Sequence, residues 1–357
     1  MHYRLLILFT LVTSWSWGQD TLSLDRVWQE GLANNFDVAI ARQSLAVLEN
    51  NREYQWLTYT PELTVDAGVS ARTQDVSLTF ASGDVQERAG AGTFSGNAGA
   101  TVSYRVFEGM GKKFRIQSTQ LTETQGEHAL EAQMEATVAN LTQAYYALVV
   151  ARNQARVLQT TLALSRERVS LAQAQYQVGK ASKLEYLQAQ VDYNADSSQW
   201  LAQQELVQAA AIQLNQMMAR DPNLPVIPVA TIPLDTSLKY DVLLAAMEEN
   251  PALHVQDVAI ELAQANERLA ATGFYPTLDA SLNYGYNYSD AEAGFVLQNR
   301  TSGVSGGLTL RWSLSGTLDA RRQVENALLQ SQTAQLTREP VGNLQEFCCI
   351  RKLEIIF

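Results

Sequence analysis

Apolar and polar residues alternate with a period of two in four segments of the chain, at 63–71, 94–106, 278–289 and 304–314. In each segment the apolar side chains would share one face of a β-strand and the polar side chains the other. Segments of about ten residues with one apolar face, one polar face and aromatic residues near the ends are typical of transmembrane β-strands. The alternative is a soluble β-sandwich, in which the apolar face is core.

Between the second and third segments, the apolar residues recur at steps of three and four. Over 130–176 they form a heptad pattern whose one polar interruption is Arg152, which is typical of a coiled-coil helix. A helix over about 113–177 would be on the order of 95 Å long. Gly179 then predicts a turn, and the apolar residues of 184–217 predict a second long helix that returns antiparallel.

The order of elements is repeated along the chain. Asn35 precedes Pro61 by 26 residues, and Asn250 precedes Pro276 by the same 26 residues. A helical stretch lies on both sides of each asparagine. Because proline lacks the N–H and disfavours a helical residue before it, we expect Pro61 and Pro276 to be the helix-to-strand turns.

The repeat predicts how the chain is organised. The expected parts are a signal peptide at 1–18, a first repeat at 19–221, a proline-rich linker at 222–236, an incomplete second repeat at 237–338 and an aberrant tail at 339–357. The signal is predicted from Arg4, a short apolar core and small residues before Gln19. The tail opens with a Glu-Pro-Val-Gly stretch and holds both cysteines of the chain. We therefore expect a truncated or frameshifted chain that lacks a second helical hairpin.

Four strands are too few for a closed barrel in a membrane, since the smallest such barrels have eight. An open sheet edge in lipid would leave backbone groups without hydrogen bonds. Three copies would supply twelve strands, which is wide enough for a lumen. The charged residues expected to line that lumen are Asp66, Arg72, Arg105, Asp279 and Arg311. The alternative for these five is simple solvation.

Several stretches resemble a known family. They are the paired Asn-to-Pro intervals, the hairpin stretch at 176–190 and the strand exits at 104–109 and 311–316. Over roughly 22–337 the chain is similar to the TolC-like outer membrane efflux family. The resemblance implies a fold that is mainly α with transmembrane β. In such a fold a long α-helical coiled-coil barrel in the periplasm joins four strands per subunit, which contribute to a trimeric 12-stranded outer-membrane β-barrel.

The resemblance also implies partners and one contact site. Members of the family work as homotrimers in outer-membrane lipid, with a periplasmic adaptor protein and an inner-membrane transporter. The tip of the helical hairpin contacts the adaptor in the family, and the matching residues here are Val178, Gly179 and Lys180. The alternative is that Gly179 is only the turn residue. The family's gate lies in the region expected to be missing, so no gate residues are assigned.

Candidate chemistry is sparse. The net charge of −11 argues against a nucleic-acid partner, which needs a basic surface. The run at 303–307 fits a G-x-S-x-G motif, but it lies within an alternating strand and not at a strand–turn–helix elbow. His128 and His254 are far apart in the sequence, and no cysteine and histidine spacing indicates a metal site. We expect no cofactor, no metal and no enzyme activity.

These observations predict a subunit of an outer-membrane channel, with a periplasmic helical extension, for efflux or export of small molecules or proteins. A non-conducting trimeric outer-membrane scaffold or adhesin is the alternative. Ion conductance in planar bilayers would separate the two. A secreted enzyme on a helical scaffold is disfavoured because no catalytic constellation is found.

Overall fold

The computed structural model describes residues 21–229, 240–294 and 296–354. The predicted signal peptide and residues 230–236 of the predicted linker lie outside the described residues. The helices are α1 (Leu24–Asn34), α2 (Phe36–Glu53), α3 (Gly111–Gln177), α4 (Lys183–Met217), α5 (Tyr240–Glu248), α6 (Pro251–Ala271) and α7 (Gly316–Glu354). The strands are β1 (Glu62–Thr79), β2 (Val85–Phe107), β3 (Thr277–Ala291) and β4 (Gln298–Arg311).

Long helices and one antiparallel sheet make up the fold, which confirms the predicted class. Helix α3 has 67 residues and α4 has 35. Their antiparallel arrangement follows from contacts between them: Ser165 donates a hydrogen bond to Asp196, and the rings of Tyr176 and Tyr186 stack with centroids 6.2 Å apart. Within the described residues, none of the helices is both long and apolar enough to cross a membrane.

The two repeats show the same order of elements: two helices, a 3-10 turn, two strands and a long helix. The repeated asparagines begin the second helix of each repeat. Asn35 Oδ1 accepts hydrogen bonds from the backbone N–H groups of Asp37 and Val38, at 2.8 and 3.2 Å. Asn250 Oδ1 accepts from the N–H of Ala252 at 2.8 Å. Each asparagine satisfies N–H groups that a helix start leaves open, which explains its place in the pattern.

The repeated prolines lie between a 3-10 turn and a strand. The turn at Tyr54–Tyr59 precedes Pro61 and β1, and the turn at Thr272–Phe274 precedes Pro276 and β3.

The described residues divide into two compact units. One consists of 21–43 and 130–229, and the other of 44–129 and 240–354. The sheet lies in the second unit, with the strand order β1-β2-β3-β4 and every neighbouring pair antiparallel. The sequence repeats and the compact units differ, because β2 of the first repeat pairs with β3 of the second.

The core of the first unit is formed where α1 meets α3 and α4. Val27, Leu141, Leu148 and Leu214 have no exposed surface. The buried Tyr145 lies among them, and its hydroxyl donates to the Leu22 carbonyl and accepts from the Val229 N–H, both at 3.0 Å. Arg152 donates to the Val226 carbonyl at 3.0 Å. The polar interruption of the heptad pattern therefore holds the chain that follows α4.

We expect Tyr145→Phe to lower the free energy of unfolding by about 1–3 kcal/mol, because it leaves the buried Leu22 carbonyl and the Val229 N–H without their partner. Tyr146→Phe is the matched control, since the Tyr146 hydroxyl has no hydrogen-bond partner within the described parts of the chain. The control should change stability by less than about 0.5 kcal/mol. Thermal or denaturant unfolding of the detergent-solubilised protein measures both. Equal losses in the two variants would contradict the assigned role.

The same hydroxyl predicts a pH dependence. Burial raises the pKa of Tyr145 above its ordinary value, so the folded state favours the neutral phenol. The contribution of Tyr145 is therefore complete below about pH 10, where an unfolded tyrosine ionises, and is lost as the pH rises through the folded pKa. We expect the stability difference between the wild type and Tyr145→Phe to shrink above about pH 10. A difference that stays constant to higher pH would contradict this.

The strands exceed the predicted length of about ten residues. β1 has 18 residues and β2 has 23. Pairing continues past the alternating region because it depends on backbone groups alone. At the other end, Trp312 and Leu314 were predicted in a strand, but β4 ends at Arg311. Arg311 lies opposite Thr277, and the preceding Pro276 has no N–H with which to extend the ladder.

The expected interruption of the last helix is not found. The sequence predicts that an aberrant tail begins at the Glu-Pro-Val-Gly stretch at 339–342, yet α7 continues through it to Glu354. A proline inside a helix removes one hydrogen bond and costs about 3 kcal/mol, but the remaining bonds of the helix persist on both sides.

Gly109 forms the sharp turn between β2 and α3, with a φ of 62°. A Cβ at this position would lie 2.8 Å from Cδ2 of the Tyr275 ring. We therefore expect Gly109→Ala to destabilise the protein by more than the roughly 1–2 kcal/mol that a left-handed backbone costs other residues. Gly83→Ala is the control, because Gly83 has a φ of 92° and no atom lies within 4 Å of the place that its Cβ would take. Equal unfolding temperatures for the two variants would show that the Tyr275 contact does not matter.

Candidate functional site

The register of the sheet decides which side chains share a face. Arg105 lies opposite Asp279, which lies opposite Thr309, two residues before Arg311. Following the pairs across β1 places all five candidate charges on one face: Asp66, Arg72, Arg105, Asp279 and Arg311. As far as the bulge between β1 and β2, the other positions of this face hold polar residues or glycine, with alanine only at Ala91 and Ala291. The five charges thus belong to one continuous polar surface.

Hydrogen bonds between strands connect this polar face. Arg105 Nε donates to Asp279 Oδ1 at 2.9 Å, and Asn97 Nδ2 donates to Asp66 Oδ2 at 3.3 Å. Asn283 Nδ2 donates to Thr101 Oγ1 at 2.7 Å. Both signs of charge occur on this surface.

Glu108 is a functional candidate that the sequence reasoning missed. Its side chain is 10% exposed and lies between Arg105 and Arg115, at 3.4 and 3.3 Å. Together with Arg115 and Arg311 it lines a cavity of about 280 Å³ at the junction of strands and helices. The only sequence signal was its place in the strand exit at 104–109, since an isolated glutamate has no pattern of its own.

The opposite face of the sheet is apolar and exposed. Val65 is 75% exposed and Val304 is 69% exposed. Tyr284, Tyr286 and Tyr288 lie on the same face, and the Tyr288 ring contacts Phe94 with centroids 6.4 Å apart. An exposed apolar surface that covers a whole sheet face requires a non-aqueous neighbour. This excludes the β-sandwich alternative for the described chain, because no second sheet covers the face in the described residues.

The turn between α3 and α4 holds the three tip candidates. Gly179 has a φ of 77°, with no atom within 4 Å of the position of a Cβ. Val178 is 69% exposed, and Lys180 is exposed beside it. The Ser182 hydroxyl accepts from the Glu185 N–H and begins α4. Gly179 is thus required by the turn, whereas nothing in the turn requires an apolar side chain at Val178.

The two histidines of the described chain lie closer than the sequence suggested. The rings of His128 and His254 have centroids 5.2 Å apart. No group of three or more His, Cys, Asp or Glu side chains that could hold a metal ion occurs among the described residues. The G-x-S-x-G run at 303–307 lies inside β4, as expected, and not at a strand–turn–helix elbow.

Comparisons with known proteins agree with this geometry. Protein CyaE of Bordetella pertussis is 25% identical over 280 residues, which cover 77% of this chain and 56% of that protein. The chain therefore spans little more than half the length of this relative. The outer-membrane channel OprN matches with a TM-score of 0.69 and 17% identity, over 90% of this chain and 71% of that one. The Campylobacter jejuni CmeC outer membrane channel matches with a TM-score of 0.68 and 18% identity, over 91% of this chain and 71% of that one.

At these identities the solved structures show that the fold is shared, and the family follows from the sequence. The family described as outer membrane efflux protein matches residues 27–220, more than half of the chain. The chain therefore belongs to the outer membrane efflux protein family, and its place is the cell outer membrane, with a helical extension in the periplasm.

Proposed function

We propose that this chain is one subunit of a homotrimeric channel that exports small molecules or proteins across the periplasm and the outer membrane. The observation that carries the proposal is the division of the sheet into one polar face and one exposed apolar face. A sheet of this kind fits a barrel wall, with the apolar face toward lipid and the polar face toward a watery lumen.

Three copies complete the wall. The sheet has four strands, and its two outer strands have backbone groups that lipid cannot satisfy. Closure with two further copies gives twelve strands and a lumen wide enough for solutes. In this arrangement the five charged residues of the polar face line the lumen.

The energy for transport comes from partners. The sequence contains no phosphate-binding loop, so the channel is passive. We assign the coupling to a periplasmic adaptor protein and an inner-membrane transporter. The exposed Val178 and Lys180, at the tip between α3 and α4, form the adaptor contact.

Membrane fractionation followed by sizing and conductance tests the proposal. The full chain should be found in the outer membrane, should have the mass of a trimer in detergent, and should conduct ions in planar bilayers. A soluble monomer would overturn the proposal. A stable trimer without conductance would favour the non-conducting scaffold or adhesin instead.

A further inference from the structure

The two edges of the sheet carry opposite charges. In the described chain β1 pairs only with β2, and β4 only with β3, so each outer strand has one open side. The charged residues of β4 are both basic: Arg300 and Arg311. The charged residues of β1 are three acids and one arginine: Glu62, Asp66, Asp75 and Arg72. The charges of the two edges are therefore complementary.

Few registers allow the two edges to pair. β4 has 14 residues and β1 has 18, so an antiparallel β4 can slide to five positions along β1 with every residue paired. The polar face holds the even-numbered residues of β1 and the odd-numbered residues of β4. A register that joins polar face to polar face must therefore pair even-numbered residues of β1 with odd-numbered residues of β4. A shift by one residue would turn every side chain to the other face. Three registers satisfy both conditions.

Arg311 meets an acid in all three registers. It lies opposite Glu62 in the first, opposite Thr64 in the second and opposite Asp66 in the third. In the second register Glu62 and Asp66 are its two diagonal neighbours, which a long side chain reaches. Within the described residues, the Arg311 and Glu62 side chains have no ion pair of their own chain. Both are exposed at the same end of the sheet.

Arg300 meets an acid at the other end. It lies opposite Thr73, Asp75 or Ser77 in the three registers, so Asp75 is either its partner or its diagonal neighbour. The bulge beside Asp75 leaves the alternation of side chains along β1 unchanged, because the extra residue is on β2. Between the pairs Gln74–Ala91 and Val76–Arg88, β1 advances by two residues and β2 by three.

We propose that β4 of one copy pairs with β1 of the next in one of these three registers, each of which brings Arg311 to Glu62 or Asp66 and Arg300 to Asp75. This rests on the proposed trimer and adds its register and its charge contacts. A register outside these three loses one or both charge contacts. The charges therefore restrict how β4 can pair with β1.

Cysteine crosslinking tests the register in the full chain with Cys348→Ser and Cys349→Ser. Thr309→Cys is combined in turn with Thr64→Cys, Asp66→Cys or Gly68→Cys, one pair for each register. Opposed residues of an antiparallel pair lie within disulfide distance. One combination should give a covalent ladder of two and three chains after oxidation. Thr309→Cys with Leu63→Cys, which joins opposite faces, should give none.

A charge-reversal series tests the contact of Arg311. Arg311→Glu should lower the temperature at which the trimer dissociates in detergent. Reversal of the acid that faces Arg311 should restore this temperature. If the Thr64→Cys pair crosslinks, the rescuing change is Glu62→Arg; if the Gly68→Cys pair crosslinks, it is Asp66→Arg. If the Asp66→Cys pair crosslinks, both changes are made together. Arg72→Glu is the matched control, since it faces Thr301, Gly303 or Ser305 and should leave that temperature unchanged.

The outcomes are distinguishable. A trimer by native mass spectrometry that gives no ladder with any of the three pairs, or a ladder with Leu63→Cys, would overturn the register while the proposed channel stands. Failure of the acid reversals to rescue Arg311→Glu would overturn the charge contact. A monomer in the native measurement would overturn both this inference and the proposed function.

Discussion

Leu282→Arg should abolish assembly in the outer membrane, whereas Ser281→Arg should assemble normally. The two residues are neighbours on the inner strand β3 and lie on opposite faces. Leu282 is 55% exposed on the apolar face. An arginine on the lipid side near the middle of a membrane costs about 2–4 kcal/mol, and a trimer carries three of them. Ser281 lies on the polar face, where the arginine head group stays hydrated.

The amount of trimer in outer-membrane fractions measures the first effect, and conductance measures the second. Ser281→Arg adds three positive charges to the lumen of the trimer, so the channel should shift its preference toward anions. Equal assembly of the two variants would show that the apolar face does not face lipid. If Ser281→Arg alone failed to assemble, the face of the sheet assigned to the lumen would be the one that faces lipid.

Val178→Asp combined with Lys180→Glu should reduce export to the level of a strain without the protein, with the trimer intact. Backbone bonds hold the tip: the Val178 N–H donates to the Ala174 carbonyl at 3.2 Å, and the Lys180 N–H donates to the Gln175 carbonyl at 2.8 Å. Neither bond involves the changed side chains, so the turn should survive. The apolar contact is lost and the charge is inverted, which a complementary partner surface does not tolerate.

Val178→Leu with Lys180→Arg is the matched control, because it keeps an apolar and a basic side chain at the tip. This variant should export at the wild-type level. Conductance should be normal in both variants, since the tip lies outside the sheet. Loss of the trimer in the first variant would instead make the tip a structural element.

Much of the fold followed from periodicity. The alternation of period two located all four strands, and the heptad pattern located the long helices α3 and α4. Boundaries were predicted less well. β1 and β2 extend beyond the alternation, and α7 passes Pro340, because backbone pairing and helical bonds continue where the side-chain pattern ends.

The candidate site was predicted unevenly. The five charges expected to line a lumen share one face of the sheet, because strand alternation fixes the face of each and the register places them together. Glu108 was missed, because its burial between Arg105 and Arg115 comes from the chain reversal at Gly109 and not from any local pattern. The contact between His128 and His254 was missed for the same reason, since it joins two helices that are distant in the sequence.

The sequence alone determined the types of element, their order and the face of each strand, because these depend on neighbours a few residues apart. It also determined the asparagine caps and the proline turns, which are local effects. Only the tertiary structure decided which strands are neighbours, and hence which two edges stay open. It also showed that Arg152 and Tyr145 hold distant backbone segments. Such contacts depend on how residues far apart in the chain come together, and a local pattern does not encode them.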